Sequence, residues 1–265
     1  MPQYEESWKF CQTRKLLALD MDGTILRHDK TMSQTTKEWL LRARQAGMEF
    51  TFATGRHRFG MVESLIKELG IVTPVVTVNG GEVWTPDGEL LHRTAFARDE
   101  IQLLYEVAAQ YETGHWASTT EGPVQAGHFP EPSRIGEFTW VKFGFWSTDL
   151  SMIHELWGIL EKTDRFELTN SDPTNIEINP RGVNKASGLK VVCDAVGLLP
   201  NQVMAFGDSL NDVAMFDFAG CSVAMANAQE QVKDAAKFVT LSCDEDGVAV
   251  FLQRLLTETS PDLAD

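Results

Sequence analysis

Short apolar runs alternate with segments of helical period along most of the chain. Leu16-Leu17-Ala18-Leu19 has the length and character of a buried strand. Ser33 is placed to cap a helix that carries Trp39, Leu40 and Ala43 and closes at Gly47. Met48 to Ala53 is the next strand, and a helix with Met61, Leu65 and Leu69 runs to Gly70. Pro74 to Val78 reads as a third strand. Asn79-Gly80 marks one turn and Pro86-Asp87-Gly88 another, so 82–94 predicts a hairpin. The last third resumes the alternation, with helices over 184–196, 210–218, 228–236 and 247–256 and strands over 203–206, 222–225 and 238–241. Buried strands separated by helices predict an α/β fold: a Rossmann-like parallel sheet with helices on both faces.

The middle breaks this rhythm. Residues 95–182 hold Trp116, Trp140, Trp146 and Trp157, four of the seven tryptophans. Thr139 to Trp146 reads as a strand and Leu150 to Leu160 as a helix. The aromatic density predicts a separate α+β module, inserted as 95–182 between the two parts, 1–94 and 183–265, of a discontinuous core. The cap tryptophans are expected in its own apolar core.

Charge narrows the partners. Lys plus Arg is 23 against 38 Asp plus Glu, a net −15 in 265 residues. The middle segment carries six basic and fourteen acidic side chains, a net −8. A phosphate backbone or an anionic membrane must be met by basic residues, so neither nucleic acid nor membrane is an expected partner. MPQYEESWKF has no apolar stretch of signal type, and no run reaches the length of a span. Cys11, Cys193, Cys221 and Cys243 contain no CxxC pair and are expected buried and inert, in keeping with a cytoplasmic protein.

Polar clusters follow three of the predicted strands. Asp20-Met21-Asp22-Gly23-Thr24 follows LLAL, Thr54-Gly55-Arg56 follows FTFA, and Gly207-Asp208-Ser209-Leu210-Asn211-Asp212 follows VMAF. The carboxyl ends of parallel strands share one edge, so these clusters converge although roughly 190 residues separate the first from the last. Lys185 opens a helix and can join them. Asp20, Asp22, Asp208 and Asp212 would repel one another without a cation, and hard oxygen donors favour Mg²⁺. With Mg²⁺ present, Asp20 suits a nucleophile toward phosphorus and Asp22 an acid and then a base. Thr54 and Lys185 suit the phosphoryl oxygens. The reaction so described is phosphoryl transfer through an aspartyl-phosphate, with a small phosphorylated metabolite as substrate and the middle segment as a lid.

LALDMDGT, ATGR, the late Lys and GDSLND resemble the four motifs of the haloacid dehalogenase superfamily of phosphatases, and the insertion resembles the cap of its Cof-like, class IIB branch. VNGG at 78–81, IEINPRGVNK at 176–185, VAMANA at 223–228 and EDGV at 245–248 extend the resemblance over nearly the whole chain. It implies Asp20 as nucleophile and Asp22 as acid/base. It implies Mg²⁺ held by the Asp20 carboxylate, the Asp22 carbonyl and Asp208, with Asp212 supporting the metal and Lys185. Asn211 would reach the phosphoryl group. Thr54, Gly55 and Asn79 complete the implied substrate contacts, Asn79 being as well explained by the turn alone. Ala186 departs from the Gly usual after the motif Lys, which a helix start tolerates.

Blander roles compete. Arg56 is expected to pair structurally with an acid. His115, Trp116, His128, Arg134 and Lys142 are candidates for the pocket, each more readily explained by core or solvent. Asp244-Glu245-Asp246 reads as a solvated helix start. Rival functions are a phosphosugar mutase, a phospho-accepting receiver-type module and a catalytically idle binding protein. A receiver needs no 88-residue insertion and no second acid beside its nucleophile.

Overall fold

The computed structural model describes residues 15–125 and 127–259; Cys11 and the MPQYEESWKF segment lie outside them. The first part of the chain forms β1 (Leu16–Leu19), α1 (Gln34–Gln45), β2 (Glu49–Phe52), α2 (Met61–Leu69), β3 (Val75–Thr77), β4 (Glu82–Trp84) and β5 (Leu90–Arg93). Then come α3 (Arg98–Gln110), β6 (Gly114–Thr119), β7 (Gly122–Gln125), β8 (Trp140–Trp146), α4 (Leu150–Glu161), β9 (Phe166–Thr169) and β10 (Asn175–Pro180). The last part is α5 (Lys185–Val196), β11 (Val203–Gly207), α6 (Val213–Phe218), β12 (Cys221–Ala224), α7 (Glu230–Ala235), β13 (Phe238–Val239) and α8 (Gly247–Thr259).

Local chemistry sets the helix ends. The Ser33 hydroxyl accepts the Thr36 N–H at 2.9 Å and starts α1. Asn184 caps α5 in the same way, and Gly70 and Gly197 end α2 and α5 in the left-handed conformation that glycine adopts without strain.

The first sheet has the order β13-β12-β11-β1-β2, and all its neighbours are parallel. Alternation along β1 sends Leu17 and Leu19 into one apolar layer with Phe50, Phe52, Met204 and Phe206. Leu16 and Ala18 enter the opposite layer with Val203 and Ala205. Both faces are covered, which is why these strands are uniformly apolar.

The expected third strand does not continue this sheet. β3 touches it through a single parallel bridge, Ala53 to Val76, and heads an antiparallel sheet, β3-β4-β5. A short apolar run is compatible with either direction of pairing. The turn decides: Asn79 at φ 56° and Gly80 at φ 99° reverse the chain at once, which only antiparallel pairing can use. The predicted 210–218 helix is likewise a 3₁₀ turn over Leu210–Asp212 followed by α6.

The second large sheet, β7-β6-β8-β10-β9, is antiparallel. One face packs Ala117, Phe143, Phe145, Ile176 and Ile178 against α3 and α4. Period-two alternation puts Trp116, Lys142, Gly144 and Glu177 on the other face. The tryptophans therefore do not share one environment. Trp140 is buried, beyond a register shift at Ser118/Thr119, and Trp157 packs half-buried against the same core. Trp116 and Trp146 instead lie on the opposite face, and Trp146 is 51% exposed.

No helix among the described residues is long and apolar enough to cross a membrane. Cys193 and Cys243 are free and buried, and burial pushes both thiols up to about 11, which suppresses the reactive thiolate. Cys221 is buried at the start of β12.

Candidate active site

Because β1 and β11 are parallel neighbours, Asp20 and Asp208 leave the sheet at the same edge. The Asp20 N–H closes the ladder on the Phe206 carbonyl at 3.0 Å. On the other flank Ala53 N–H bonds the Leu19 carbonyl at 2.9 Å and brings Thr54 to the same edge. Lys185, the first residue of α5, is wholly buried and reaches in from the helix start. Its Nζ lies 2.6 Å from Asp20 Oδ1 and 2.7 Å from Asp212 Oδ1. Burial opposes a charge on Lys185, but the two carboxylates outweigh it and raise its pKa.

Asp212 is fully engaged. Its second oxygen accepts the N–H groups of Asp208 at 2.8 Å and Ser209 at 3.0 Å. A side chain at Gly207 would collide with this carboxylate, so glycine there is a packing requirement. Asp208 accepts from the Thr24 hydroxyl at 3.3 Å and from Asn227 Nδ2 at 3.3 Å, and Asn227 also donates to the Gly23 carbonyl at 2.8 Å. Gly23, at φ 76°, passes so close to Asp208 that a Cβ would strike its carboxylate.

Oxygens of Asp20, Asp208 and Asp212 come within 4.8 Å of one another. Burial first, then the neighbouring charge of Asp212, pushes Asp20 up to about 7 against the pull of Lys185. Burial and the charges of Asp20 and Asp212 push Asp208 up to about 8. One ammonium does not balance three carboxylates, two of them buried and Asp208 half-buried, and a hard divalent cation fits this donor set. Asp20 and Asp208 keep oxygens for such an ion; those of Asp212 are committed to Lys185 and the backbone.

Asp22 borders the same site but is held by cations of its own. Arg56 grips it through two bonds, Nε at 2.6 Å and a terminal nitrogen at 2.7 Å, and Lys30 adds an ion pair at 2.9 Å. Burial raises the Asp22 carboxyl, but these two cations prevail and lower it. Arg56 thus pairs with an acid as expected, and that acid is Asp22. Thr54 is buried, and its hydroxyl accepts the Arg56 N–H at 3.2 Å.

A cavity of about 580 Å³ opens over these groups, and Asp20, Asp22, Thr54, Gly55, Asp208 and Asn211 reach it from the core. Trp116, Lys142 and Glu177 reach it from the second sheet. Glu177 organises the junction. Its Oε2 takes Lys142 at 2.9 Å, Asn79 Nδ2 at 2.6 Å and Asn211 Nδ2 at 3.4 Å; its Oε1 takes the Ser171 hydroxyl at 3.0 Å. Despite burial, this company holds Glu177 at about 2. Lys142 also donates to the Gly55 carbonyl at 3.3 Å. A side chain at Gly55 would crowd both Lys142 Nζ and Asn79 Oδ1.

The structure thus brings Asp20, Lys185, Asp208 and Asp212 together, with Asp22, Thr54, Gly55 and Asn211 in the lining of the adjoining cavity. Asn79 is tied to the second sheet through Glu177. Trp116 and Lys142 face the cavity, whereas His115 packs against Phe129 and Phe143, His128 is exposed and Arg134 pairs with Glu137. Glu177, Asn227 and Ser171 escaped the sequence reasoning. A lone Glu between the isoleucines of Ile176-Glu177-Ile178 was the available signal for the first. Asp244 and Asp246 are not simply solvated; they pair with His28 and Arg27.

Known proteins resemble this chain in sequence and in fold. The chain is 40% identical over 235 residues to a 5-amino-6-(5-phospho-D-ribitylamino)uracil phosphatase of Bacillus subtilis, covering 89% of this chain and 93% of that one. It is 31% identical over 238 residues to an HMP-PP phosphatase of Escherichia coli, covering 83% and 86%. A solved haloacid dehalogenase-like hydrolase from B. subtilis superposes with a TM-score of 0.81 at 25% identity, covering 91% and 99%. Residues 17–128 and 131–252 match the haloacid dehalogenase-like hydrolases, and the chain belongs to that family.

Proposed function

We propose that the chain is a Mg²⁺-dependent phosphatase of small phosphorylated metabolites that works through an aspartyl-phosphate on Asp20. The main support is the Lys185 ammonium shared between Asp20 and Asp212, behind a cavity whose lining takes in Asp20, Asp22, Thr54 and Asp208. The two relatives are both named as phosphatases of phosphorylated small molecules.

The Asp20 and Asp208 carboxylates and the Asp22 carbonyl would hold Mg²⁺, with Asp212 fixing Lys185 and the 208–209 backbone behind them. When bound, the ion offsets phosphoryl charge and relieves the carboxylate repulsion. Lys185 orients the Asp20 carboxylate and stabilises its charged form. The Thr54 hydroxyl, the Gly55 backbone and Asn211 hold the phosphoryl oxygens. An Asp20 oxygen attacks phosphorus, and the departing alkoxide takes a proton from Asp22. Asp22 then takes a proton from water as that water attacks phosphorus, which releases inorganic phosphate and restores Asp20. Arg56 and Lys30 must release Asp22 for this exchange. Residues 95–182 serve as the cap that supplies the far wall.

The test uses acetyl phosphate with Mg²⁺. Wild-type protein should release phosphate, and Asp20→Asn should release none while keeping the wild-type circular dichroism. A beryllium fluoride adduct should be recovered on Asp20. An adduct elsewhere, or turnover by Asp20→Asn, overturns the proposal.

A further inference from the structure

The wall opposite Asp20 is the open face of the second sheet, and it has its own chemistry. Trp116 of β6, Gly144 of β8 and Glu177 of β10 form one row across three strands. A Cβ on Gly144 would collide with Trp116 Cε2, Cζ2 and Nε1, so the indole lies flat against the backbone of the neighbouring strand. Only glycine leaves that space. The indole borders the cavity.

We propose that Trp116, laid over Gly144, is the stacking floor for a planar conjugated ring in the leaving group. This rests on the phosphatase reading and narrows its substrate class. The groups around the floor suit such a ring. Lys142 Nζ lies 5.1 Å from the indole centroid. Its bonds to Glu177 and the Gly55 carbonyl leave one of three protons for a ring carbonyl or ring nitrogen. The ligand class is therefore a phosphate ester whose leaving group carries a planar ring with a hydrogen-bond acceptor at its edge.

Flavin mononucleotide is the probe, since its ring is planar and carries acceptors, and acetyl phosphate is the ring-free comparison. In Trp116→Leu the ratio of kcat/KM for flavin mononucleotide to that for acetyl phosphate should fall about tenfold or more, the usual scale for losing one aromatic stack. Trp116→Phe should retain most of it. In an Asp20→Asn background, which holds the ligand unturned, flavin fluorescence should be quenched on binding, and Trp116→Leu should remove that quenching. A ratio unmoved in Trp116→Leu, with quenching intact, overturns the stacking floor. Absence of phosphate release from either substrate by the wild-type protein overturns the phosphatase reading instead, and the quenching still decides the floor.

Discussion

Lys142 and Glu177 face each other at 2.9 Å on adjacent strands of the second sheet, and both are buried. Neither charge is sustainable alone. The pair also reaches the core through the Gly55 carbonyl, Asn79 and Asn211, so it joins the two halves of the cavity wall.

Glu177 should give the fold an acid limit. Its carboxyl is held at about 2 against an ordinary 4.5, by Lys142, Asn79 and Ser171 acting against burial. A lowered acid stabilises the fold above its unfolded value and loses that contribution as pH falls from about 4.5 toward 2. Urea unfolding should show a loss on the order of 3 kcal/mol across that window. Glu177→Gln should abolish this slope and, at pH 7, cost about 3–5 kcal/mol by stranding Lys142. Lys142→Met combined with Glu177→Gln should recover much of the cost.

Lys185→Met should be worse than a simple loss of catalysis. It leaves Asp20 and Asp212 without the ammonium they share, beside the carboxylate of Asp208. Turnover should fall by 10²-fold or more, on the order seen for a lost charge-stabilising donor. Midpoints of thermal unfolding should drop at neutral pH and recover partly with added Mg²⁺.

Gly23→Ala should strike the metal selectively. The methyl would displace Asp208 and also meet an unfavourable φ of 76°. The Mg²⁺ concentration for half-maximal activity should rise about tenfold, while the unfolding midpoint in urea changes by no more than about 1–2 kcal/mol equivalent. Unchanged Mg²⁺ dependence would remove Asp208 from the ion.

Asp22→Asn should separate the two halves of the cycle. An aryl phosphate has a good leaving group and needs little protonation, so a first equivalent of phenol should appear quickly and turnover then stall. An alkyl phosphate should give almost nothing. Rapid-quench assays read both; equal slowing without a burst contradicts the acid/base role.

Much of this was legible because its causes are local. A strand end, a turn and a cap are written within a few neighbouring residues, so Asp20, Thr54, Lys185 and Asp208 could be assigned to one sheet edge before any coordinates. What depends on pairing between distant segments was not. Val75–Thr77 looks the same whether it pairs parallel or antiparallel. Trp116 reads as core until the register sets it opposite Gly144. Glu177 carries no visible role until Lys142, 35 positions earlier, is brought beside it. Asp22 as a free acid was equally unreadable as a gripped one, since only geometry shows Arg56 reaching it twice.

The parallel register of β1 with β11 also bears on how the protein is made. Leu16 pairs with Val203, and the Lys185–Asp20 contact spans 165 residues of sequence. On a translating ribosome β1 must wait for most of the chain before its central partner β11 exists, roughly 10–40 s at ordinary elongation rates. Throughout that interval LLAL presents an apolar edge with no neighbour on the β11 side. The second sheet, whose strands all fall between 114 and 180, can form earlier. Nascent chains halted before residue 203 should therefore display a structured middle and a sticky, chaperone-dependent beginning.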